Sequence, residues 1–350
     1  MKLKPFLALL SAGIIGLAIF SGCSNTKGQN SDPEDYPVHA ADTVIDRYPQ
    51  RVVSISPATT DMLMQLNLRG RVVGISDYCD LPAEEGALDY YDYPRVGTPQ
   101  LPDIEAIQKL GAQVVFTTAP LSDAQTQQLL QSNIDVVVLP PADTMEGIRE
   151  TYTDIYKIMH GEITGAAMAQ DYLNRFDARW QDIQSRAQQG ASALEQPKSA
   201  VYLAGGLLTL ATGDTLQGRL LTEMGLENWG ADYTGYTYPK EKQAELNPDI
   251  ILFNGMLTKE EIAASDCYKT TPAGKNNAIW YLDSSNFERQ SPDLLDTLWQ
   301  LGQMLYPESF IRQEPGGWEE PPDSQPEEED TAADSAQPSE DTETAQTPSA

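Results

Sequence analysis

Residues Arg51 to Ile75, RVVSISPATTDMLMQLNLRGRVVGI, contain the stretch that decides the fold class. Two runs rich in β-branched residues, Arg51–Ile55 and Arg71–Ile75, predict strands, and the segment Thr59–Leu66 between them predicts a helix. Because a strand–helix–strand unit returns the chain in its original direction, these elements indicate two parallel strands of one sheet. Helices cover both faces of a parallel sheet, so the sequence predicts an α/β fold.

The same alternation continues along the rest of the chain. Further helices and strands are predicted at 103–110, 114–116, 122–131 and 136–139, and a second series at 200–203, 216–224, 250–253, 279–282 and 293–305. Between the two series, apolar residues recur at helical spacing and indicate a packing face: Met168, Tyr172, Phe176, Trp180 and Ile183. The sequence therefore predicts two Rossmann-like lobes with parallel sheets, joined by a single long linking helix.

Composition divides the chain into six segments. The last segment, after residue 312, holds twelve acidic residues and no Lys or Arg, a composition that cannot bury enough apolar surface to fold. The predicted segments are a lipoprotein signal peptide (1–22), a flexible tether (23–48), an N-terminal α/β lobe (49–143), a linking helical segment (144–190), a C-terminal α/β lobe (191–312) and a disordered acidic tail (313–350).

The N-terminus predicts export. Lys2 and Lys4 precede an apolar run that is too short for an ordinary membrane span, and the exit Ser21-Gly22-Cys23 resembles the lipobox of bacterial lipoproteins. This resemblance implies cleavage before Cys23, acylation of that residue and anchoring at a membrane surface, either on the cell surface or in a periplasm. An ordinary signal peptide with a chance cysteine is the alternative. Cys79 and Cys267 then remain, and two separate thiols are favoured over a bridge between the lobes.

Charge and motif content exclude several function classes. The formal net charge of −29 argues against a nucleic-acid partner bound through a basic face. The only two histidines, His39 and His160, exclude a three-histidine zinc site. The chain has no Gly-x-Ser-x-Gly elbow, no Walker loop and no His-Glu-x-x-His. We therefore expect no catalytic residues, no metal site and no cofactor.

Aromatic residues cluster at two places. A loop after the second strand holds Tyr78, Tyr90, Tyr91 and Tyr93, and a loop in the second lobe holds Trp229, Tyr233, Tyr236 and Tyr238. Aromatic side chains at matching edges of two lobes can stack on a large, flat ligand. We expect two or three of these eight residues to face such a ligand and the others to pack within their own loops.

Six short motifs, in order along residues 49–306, carry a family resemblance: Ser56-Pro57-Ala58-Thr59-Thr60-Asp61, Asp77-Tyr78-Cys79-Asp80, Arg95-Val96-Gly97, Asp103-Ile104-Glu105, Asn247-Pro248-Asp249 and Phe287-Glu288-Arg289-Gln290-Ser291-Pro292. Together with the lipobox, they resemble the cobalamin- and ferric-siderophore-binding proteins of ABC importers. The resemblance implies a class III periplasmic-binding-protein fold, a rigid linking helix, a shallow site between the lobes and an ABC permease as partner.

The resemblance also assigns roles to individual residues. It implies ligand contacts from Tyr78, Ser56, Pro57, Ala58, Asn286, Phe287 and Arg289. The aromatic loops add Tyr236 and Tyr238, and the haem-binding relatives suggest Tyr93. It implies that Glu105 and Glu241, one acid in each lobe, dock onto arginines of the permease. Solvated acids near helix ends are the alternative for this pair.

The identity of the ligand is less clear from the sequence. Cobalamin or another corrinoid is the first expectation, but Pro99 and Thr118 stand near positions where the vitamin B12-binding relatives have tryptophan. Haem, with Tyr78 or Tyr93 as an iron ligand, and ferric siderophores are the alternatives within the family. The alternative from another class is a surface adhesion or scaffold lipoprotein without a transport ligand. We expect a monomer in each case.

Overall fold

Two four-stranded parallel sheets with the same strand order form the centres of the two lobes. The structure is a computed structural model that describes residues 35–79 and 93–311. Its strands are β1 (Val38–Ala40), β2 (Thr43–Ile45), β3 (Val52–Ser54), β4 (Val72–Ile75), β5 (Val114–Thr117), β6 (Asp135–Val138), β7 (Ser199–Leu203), β8 (Glu227–Asn228), β9 (Ile250–Phe253) and β10 (Ile279–Tyr281). The sheet orders are β4-β3-β5-β6 and β8-β7-β9-β10, and every pair within them is parallel.

Helices connect and cover these strands. They are α1 (Pro57–Gln65), α2 (Ile104–Lys109), α3 (Asp123–Gln131), α4 (Met145–His160), α5 (Glu162–Ser192), α6 (Leu216–Glu223), α7 (Lys259–Ala264), α8 (Pro272–Lys275), α9 (Ser284–Phe287) and α10 (Asp293–Leu305), with 3-10 helices at Arg69–Arg71 and Lys240–Glu245. The predicted α/β class and the two parallel-sheet lobes are confirmed. Within the described residues, no helix is both long enough and apolar enough to cross a membrane.

The described part of the predicted tether is a folded hairpin, which corrects the boundary at residue 48. Strands β1 and β2 pair in antiparallel fashion, and Val38 and Ile45 are completely buried. Ala41 and Asp42 both have positive φ, as the two-residue turn of such a hairpin requires. The Ala41 amide donates a hydrogen bond to Asp154 on α4 (3.1 Å), so the hairpin belongs to the first lobe.

The linking segment consists of two helices. Gly161 ends α4 with a φ of 106°, and α5 then runs back along α4. The side chain of Asp35 caps the new helix by accepting hydrogen bonds from the amides of Ile163 (2.6 Å) and Thr164 (2.8 Å). A side chain at position 161 would collide with this carboxylate. The 31-residue helix α5 is the long helix that joins the lobes.

The apolar face of α5 is buried, as its spacing predicts. Tyr172 stacks on Tyr152 of α4 with ring centroids 5.2 Å apart, and Phe176 lies 6.2 Å from the same ring. Farther along α5, Arg179 pairs with Asp296 of α10. One helix therefore packs against elements of both lobes.

Several predicted features lie outside the described residues. They are the signal peptide, the acylation site Cys23, the tail 313–350, and the tyrosines Tyr90 and Tyr91. Cys79 and Cys267 are buried free thiols in different lobes.

We predict that His160 makes stability depend on pH. Its ring is buried, and its Nε2 atom has no hydrogen-bond partner among the described residues. Burial, aided by the charge of Arg71, lowers the pKa of His160 from 6.5 to about 4. Between these values the unfolded chain binds more protons, so falling pH favours unfolding, by up to about 3 kcal/mol below pH 4.

The comparison that checks this prediction is urea unfolding of His160→Gln and the unaltered chain between pH 7 and pH 4. The variant should lose less stability over that range. His39→Gln is the matched control, because His39 is exposed on β1. Equal pH slopes for all three proteins would contradict the assignment.

Candidate functional site

The turns that follow the strands in the two lobes meet through hydrogen bonds. In parallel sheets, ligands bind beyond the carboxyl ends of the strands. Arg289, after α9 in the second lobe, pairs with Asp61 on α1 of the first lobe, with Nη1 and Oδ2 3.1 Å apart. Gln65, one turn farther along α1, donates a hydrogen bond to Asp293 at the start of α10 (2.7 Å). These bonds bring Arg289 and the helix after the predicted Ser-Pro-Ala turn to one interlobe region.

Gln290 makes a further interlobe connection. Its side-chain amide pairs with the backbone of Ala142, accepting from the amide (2.9 Å) and donating to the carbonyl (2.6 Å). The hydroxyl of Tyr152 donates to the carbonyl of Gln290 (3.3 Å). Next to it, Arg219 pairs with Asp143 at 3.2 Å. The segment after α9 is therefore fixed against the first lobe on two sides.

Tyr78 is presented on a braced turn after β4. Its amide donates to Ser76 Oγ (3.2 Å), and Arg95 donates to the carbonyls of Ser76 (2.8 Å) and Cys79 (2.6 Å). The side chain itself is 56% exposed, and its hydroxyl has no partner among the described residues. A fixed backbone with an exposed ring is suited to stacking on a ligand.

Tyr93 has a different environment. It packs against the core of the first lobe, and its hydroxyl donates to the carbonyl of Arg69 (3.2 Å). Burial raises the pKa of its phenol. Both effects oppose the tyrosinate form that would bind iron.

Three of the residues expected to contact a ligand, Ser56, Phe287 and Tyr238, have buried side chains. Ser56 is buried and caps α1 by accepting a hydrogen bond from the Thr59 amide (3.2 Å), while Pro57 and Ala58 are half-buried in the first helical turn. Phe287 is completely buried, and its ring meets Tyr202 edge to face at 4.9 Å.

Tyr238 is the third of these residues. It is buried edge to face against Tyr233, with ring centroids 4.8 Å apart. A family motif indicates which segment of the backbone lies near the ligand. It does not indicate which side chains of that segment point into the core. The half-buried neighbours Asn286 and Arg289 remain on the outer side of their segment.

Tyr236 is partly exposed but tied to the second lobe. Its hydroxyl donates to Gln217 Oε1 (2.7 Å) and its amide donates to Thr212 Oγ1 (3.1 Å). Its backbone has a φ of 57°, which is uncommon for a residue with a side chain. The surrounding bonds hold this conformation, so the Tyr236 side chain has a fixed position.

Glu288 lies between two predicted ligand residues and is a candidate that the sequence analysis did not name. Its Oε1 atom accepts hydrogen bonds from the Tyr202 hydroxyl (2.6 Å) and from Asn254 Nδ2 (3.2 Å). Burial and the charge of Glu288 raise the pKa of Tyr202, so this hydroxyl remains a donor. The second carboxylate oxygen of Glu288 has no partner in the described part of the chain. The sequence did offer one indication of Glu288, because it stands between Phe287 and Arg289 in the quoted motif.

Two exposed apolar residues also follow strands of the second lobe. Met256, after β9, is 74% exposed, and Tyr281, at the end of β10, is 56% exposed. The Tyr281 ring packs edge to face on Phe253 at 5.8 Å. These positions were not predicted, because neither belongs to the aromatic loops.

The two predicted docking acids are exposed on short helical elements of different lobes. Glu105 lies in the first turn of α2, after the cap residue Asp103, and pairs with Lys109 at 3.4 Å. Glu241 lies in the first turn of the 3-10 helix Lys240–Glu245. Neither acid is buried, so both are available to a partner.

Two concavities of the described surface lie away from these residues. One, of about 390 Å³, lies beside β6 and α4, and the other, of about 440 Å³, lies at the amino ends of β9 and β10. Neither is lined by a predicted ligand residue. In residues 35–79 and 93–311, no group of three or more His, Cys, Asp or Glu side chains is arranged to hold a metal ion.

Two parallel-sheet lobes on one long helix, with opposed turns, define a two-lobed binding protein. A model of the periplasmic binding protein family matches residues 52–286, and the chain belongs to this family. The uncharacterized ABC transporter substrate-binding lipoprotein YvrC of Bacillus subtilis (strain 168) is 22% identical over 330 residues, which cover 88% of this chain and 99% of YvrC.

Solved structures share the fold. The periplasmic heme binding protein HutB of Vibrio cholerae has a TM-score of 0.61 at 21% identity, over 74% of this chain and 99% of HutB. The periplasmic vitamin B12 binding protein BtuF of Vibrio cholerae has a TM-score of 0.56 at 19% identity, over 73% of this chain and 96% of BtuF. The predicted class III fold is confirmed. The chain is a substrate-binding protein of the ABC-importer type, not an enzyme.

Proposed function

We propose that this protein captures a corrinoid such as cobalamin between its lobes and delivers it to an ABC permease. Two observations carry the proposal: Tyr78 is exposed on a braced turn of the first lobe, and the ion pair between Asp61 and Arg289 brings the 286–289 segment of the second lobe to the first lobe. A macrocycle is large enough to contact both lobes, and an aromatic ring on a fixed turn supplies stacking at low entropic cost.

The charge of the interlobe region favours a corrinoid over an anionic ligand. Arg289 is paired with Asp61, and Arg95 is bonded to two backbone carbonyls. Carboxylates of haem or anionic groups of a ferric siderophore require cations that are not already engaged. A corrinoid carries amide side chains, whose N–H groups can donate to the second oxygen of Glu288.

Haem is the second candidate, and one observation favours it. The Tyr78 hydroxyl is exposed and has no partner among the described residues, as an iron ligand would need. HutB, which shares the fold, is a heme binding protein by name. Ferric siderophores have no comparable observation in this chain.

We also propose that the protein works outside the cytoplasm as a lipid-anchored monomer. The supporting observations are the apolar N-terminal run, the lipobox-like residues before Cys23 and the lipoprotein designation of the relative YvrC. Acylation of Cys23 would anchor the protein to the membrane that holds the permease. This anchoring would raise the local concentration of ligand-loaded protein at the permease.

The identity of the ligand is tested by calorimetric titration of the purified protein with cyanocobalamin. We expect micromolar or tighter binding, weakened at least tenfold, or about 1.4 kcal/mol, in Tyr78→Ala because an aromatic anchor is lost. Tyr78→Phe is the matched control. It keeps the stacking ring, so corrinoid affinity should stay within about threefold.

The same two variants separate corrinoid from haem. If haem is the ligand, Tyr78→Phe removes the phenol oxygen, and the visible absorption spectrum of bound haem changes. Cyanocobalamin heat equal to dilution, together with tight haem binding that depends on the Tyr78 hydroxyl, would replace the first proposal with the second.

We further propose that Glu105 and Glu241 dock onto basic residues of the permease. The double variant Glu105→Gln, Glu241→Gln should bind ligand normally but reduce uptake at least tenfold in cells that contain the permease and its ATPase, since charge-assisted contacts orient the complex. The matched control is Glu146→Gln with Glu260→Gln, exposed acids in the first turns of α4 and α7. Equal uptake by both double variants would remove the docking role.

A further inference from the structure

We infer that Asp61 determines the charge of the ligand that the interlobe site accepts. It forms an ion pair with Arg289, so that this arginine is not free to bind a carboxylate of the ligand. This inference rests on the proposed ligand site and adds a residue that sequence resemblance did not assign to it. Asp61 would act through Arg289 and is therefore a positioning residue that affects specificity.

The position of Asp61 connects it with both sides of the site. Its neighbour on α1, Thr60, donates to Ser54 Oγ (2.9 Å) and also lies 3.3 Å from the thiol of Cys79, next to Tyr78. Its own carboxylate reaches Arg289 of the second lobe. Asp61 thus lies between the turn that presents Tyr78 and the segment that carries Arg289.

The ion pair between Asp61 and Arg289 is partly shielded from water. The side chains of Arg289 and Asp61 are only 23% and 17% exposed, so water screens their interaction incompletely. A partly buried guanidinium without its partner is costly and would be stabilised by another anion. With Asp61 present, Arg289 offers an approaching carboxylate little net attraction.

Asp293 adds negative charge to the same region. Its carboxylate accepts the hydrogen bond from Gln65 on α1 and lies near enough to contribute to the raised pKa of Asp61, although burial is the larger cause. Arg289 is thus neutralised by Asp61, with a second carboxylate close to that pair. A site with this arrangement attracts a ligand dianion weakly and tolerates a ligand without net charge.

A matched ligand pair isolates this effect. Haemin and haemin dimethyl ester share ring and iron and differ in two carboxylates, so any ligation by Tyr78 is common to both. We expect the unaltered protein to bind the diester at least as tightly as the diacid. In Asp61→Asn, we expect the affinity ratio to shift at least tenfold toward the diacid, with the gain diminished by added salt.

Additional variants separate specificity from a structural role. Asp61→Glu should restore the original ratio, and Asp61→Asn combined with Arg289→Gln should abolish the gain. Asp293→Asn is the control for removal of a nearby acid that does not pair with Arg289, and its ratio should shift less. Melting temperatures of all variants report any change in the association of the lobes.

The outcomes are distinct for the two proposals. An unchanged ratio in Asp61→Asn, an equal loss of both porphyrins, or no binding of the diacid by this variant would overturn the role of Asp61. Cyanocobalamin binding by the unaltered protein is measured in parallel. Its absence would overturn the corrinoid proposal while leaving the comparison of diacid and diester to decide the role of Asp61.

Discussion

Helix α5 is the element on which the arrangement of the rest depends. At 1.5 Å per residue, its 31 residues span about 46 Å, long enough to support both lobes. Tyr172 and Phe176 pack on Tyr152 of α4, and farther along the helix Gly190 leaves no room for a Cβ atom beside the ring of Tyr306. Because this packing is close on both sides, large rotations of the lobes would break it. This packing favours a proposed site that is largely formed before a ligand binds, which would reduce the ordering cost of binding.

Parallel pairing then decides where that site lies. In each lobe the first strand of the parallel sheet lies between the second and the third. The order in which strands are added therefore switches sides at β3 in one sheet and at β7 in the other. The turns after these strands lie at one edge of each sheet, and the bond between Asp61 and Arg289 joins the two edges. Parallel pairing buries the strands beneath helices. It leaves Tyr78 and the outer side of the 286–289 segment exposed in the turns beyond the ends of the strands. The residues that pack in these turns are therefore different from the residues proposed to bind a ligand.

Sequence patterns predicted all the strands of the two parallel sheets except the two-residue β8, and they predicted side-chain directions poorly. Short β-branched runs such as Val72–Ile75 are unambiguous because helical segments flank them. The hairpin at 38–45 was missed because its turn, Ala41-Asp42, lacks the Asn-Gly type of signal. The break at Gly161 was missed because a single glycine is tolerated within many helices.

The site residues show a second limit of sequence reasoning. Phe287 and Arg289 belong to one short motif, yet Phe287 is fully buried and Arg289 reaches the other lobe. Only tertiary packing distinguishes them. The partners of Glu288, which come from β7 and the end of β9, are likewise distant in sequence. Contacts of this kind have no local pattern in the sequence.

Hydrogen–deuterium exchange with and without cyanocobalamin tests the central claim, that turns of both lobes form one ligand site. The account predicts slower exchange, on ligand addition, in peptides that contain Tyr78 and in peptides that contain residues 286–290, with the same ligand concentration dependence in both. Peptides that line the concavity beside β6 and α4 should not change. Protection confined to one lobe, or centred on that concavity, would contradict the account.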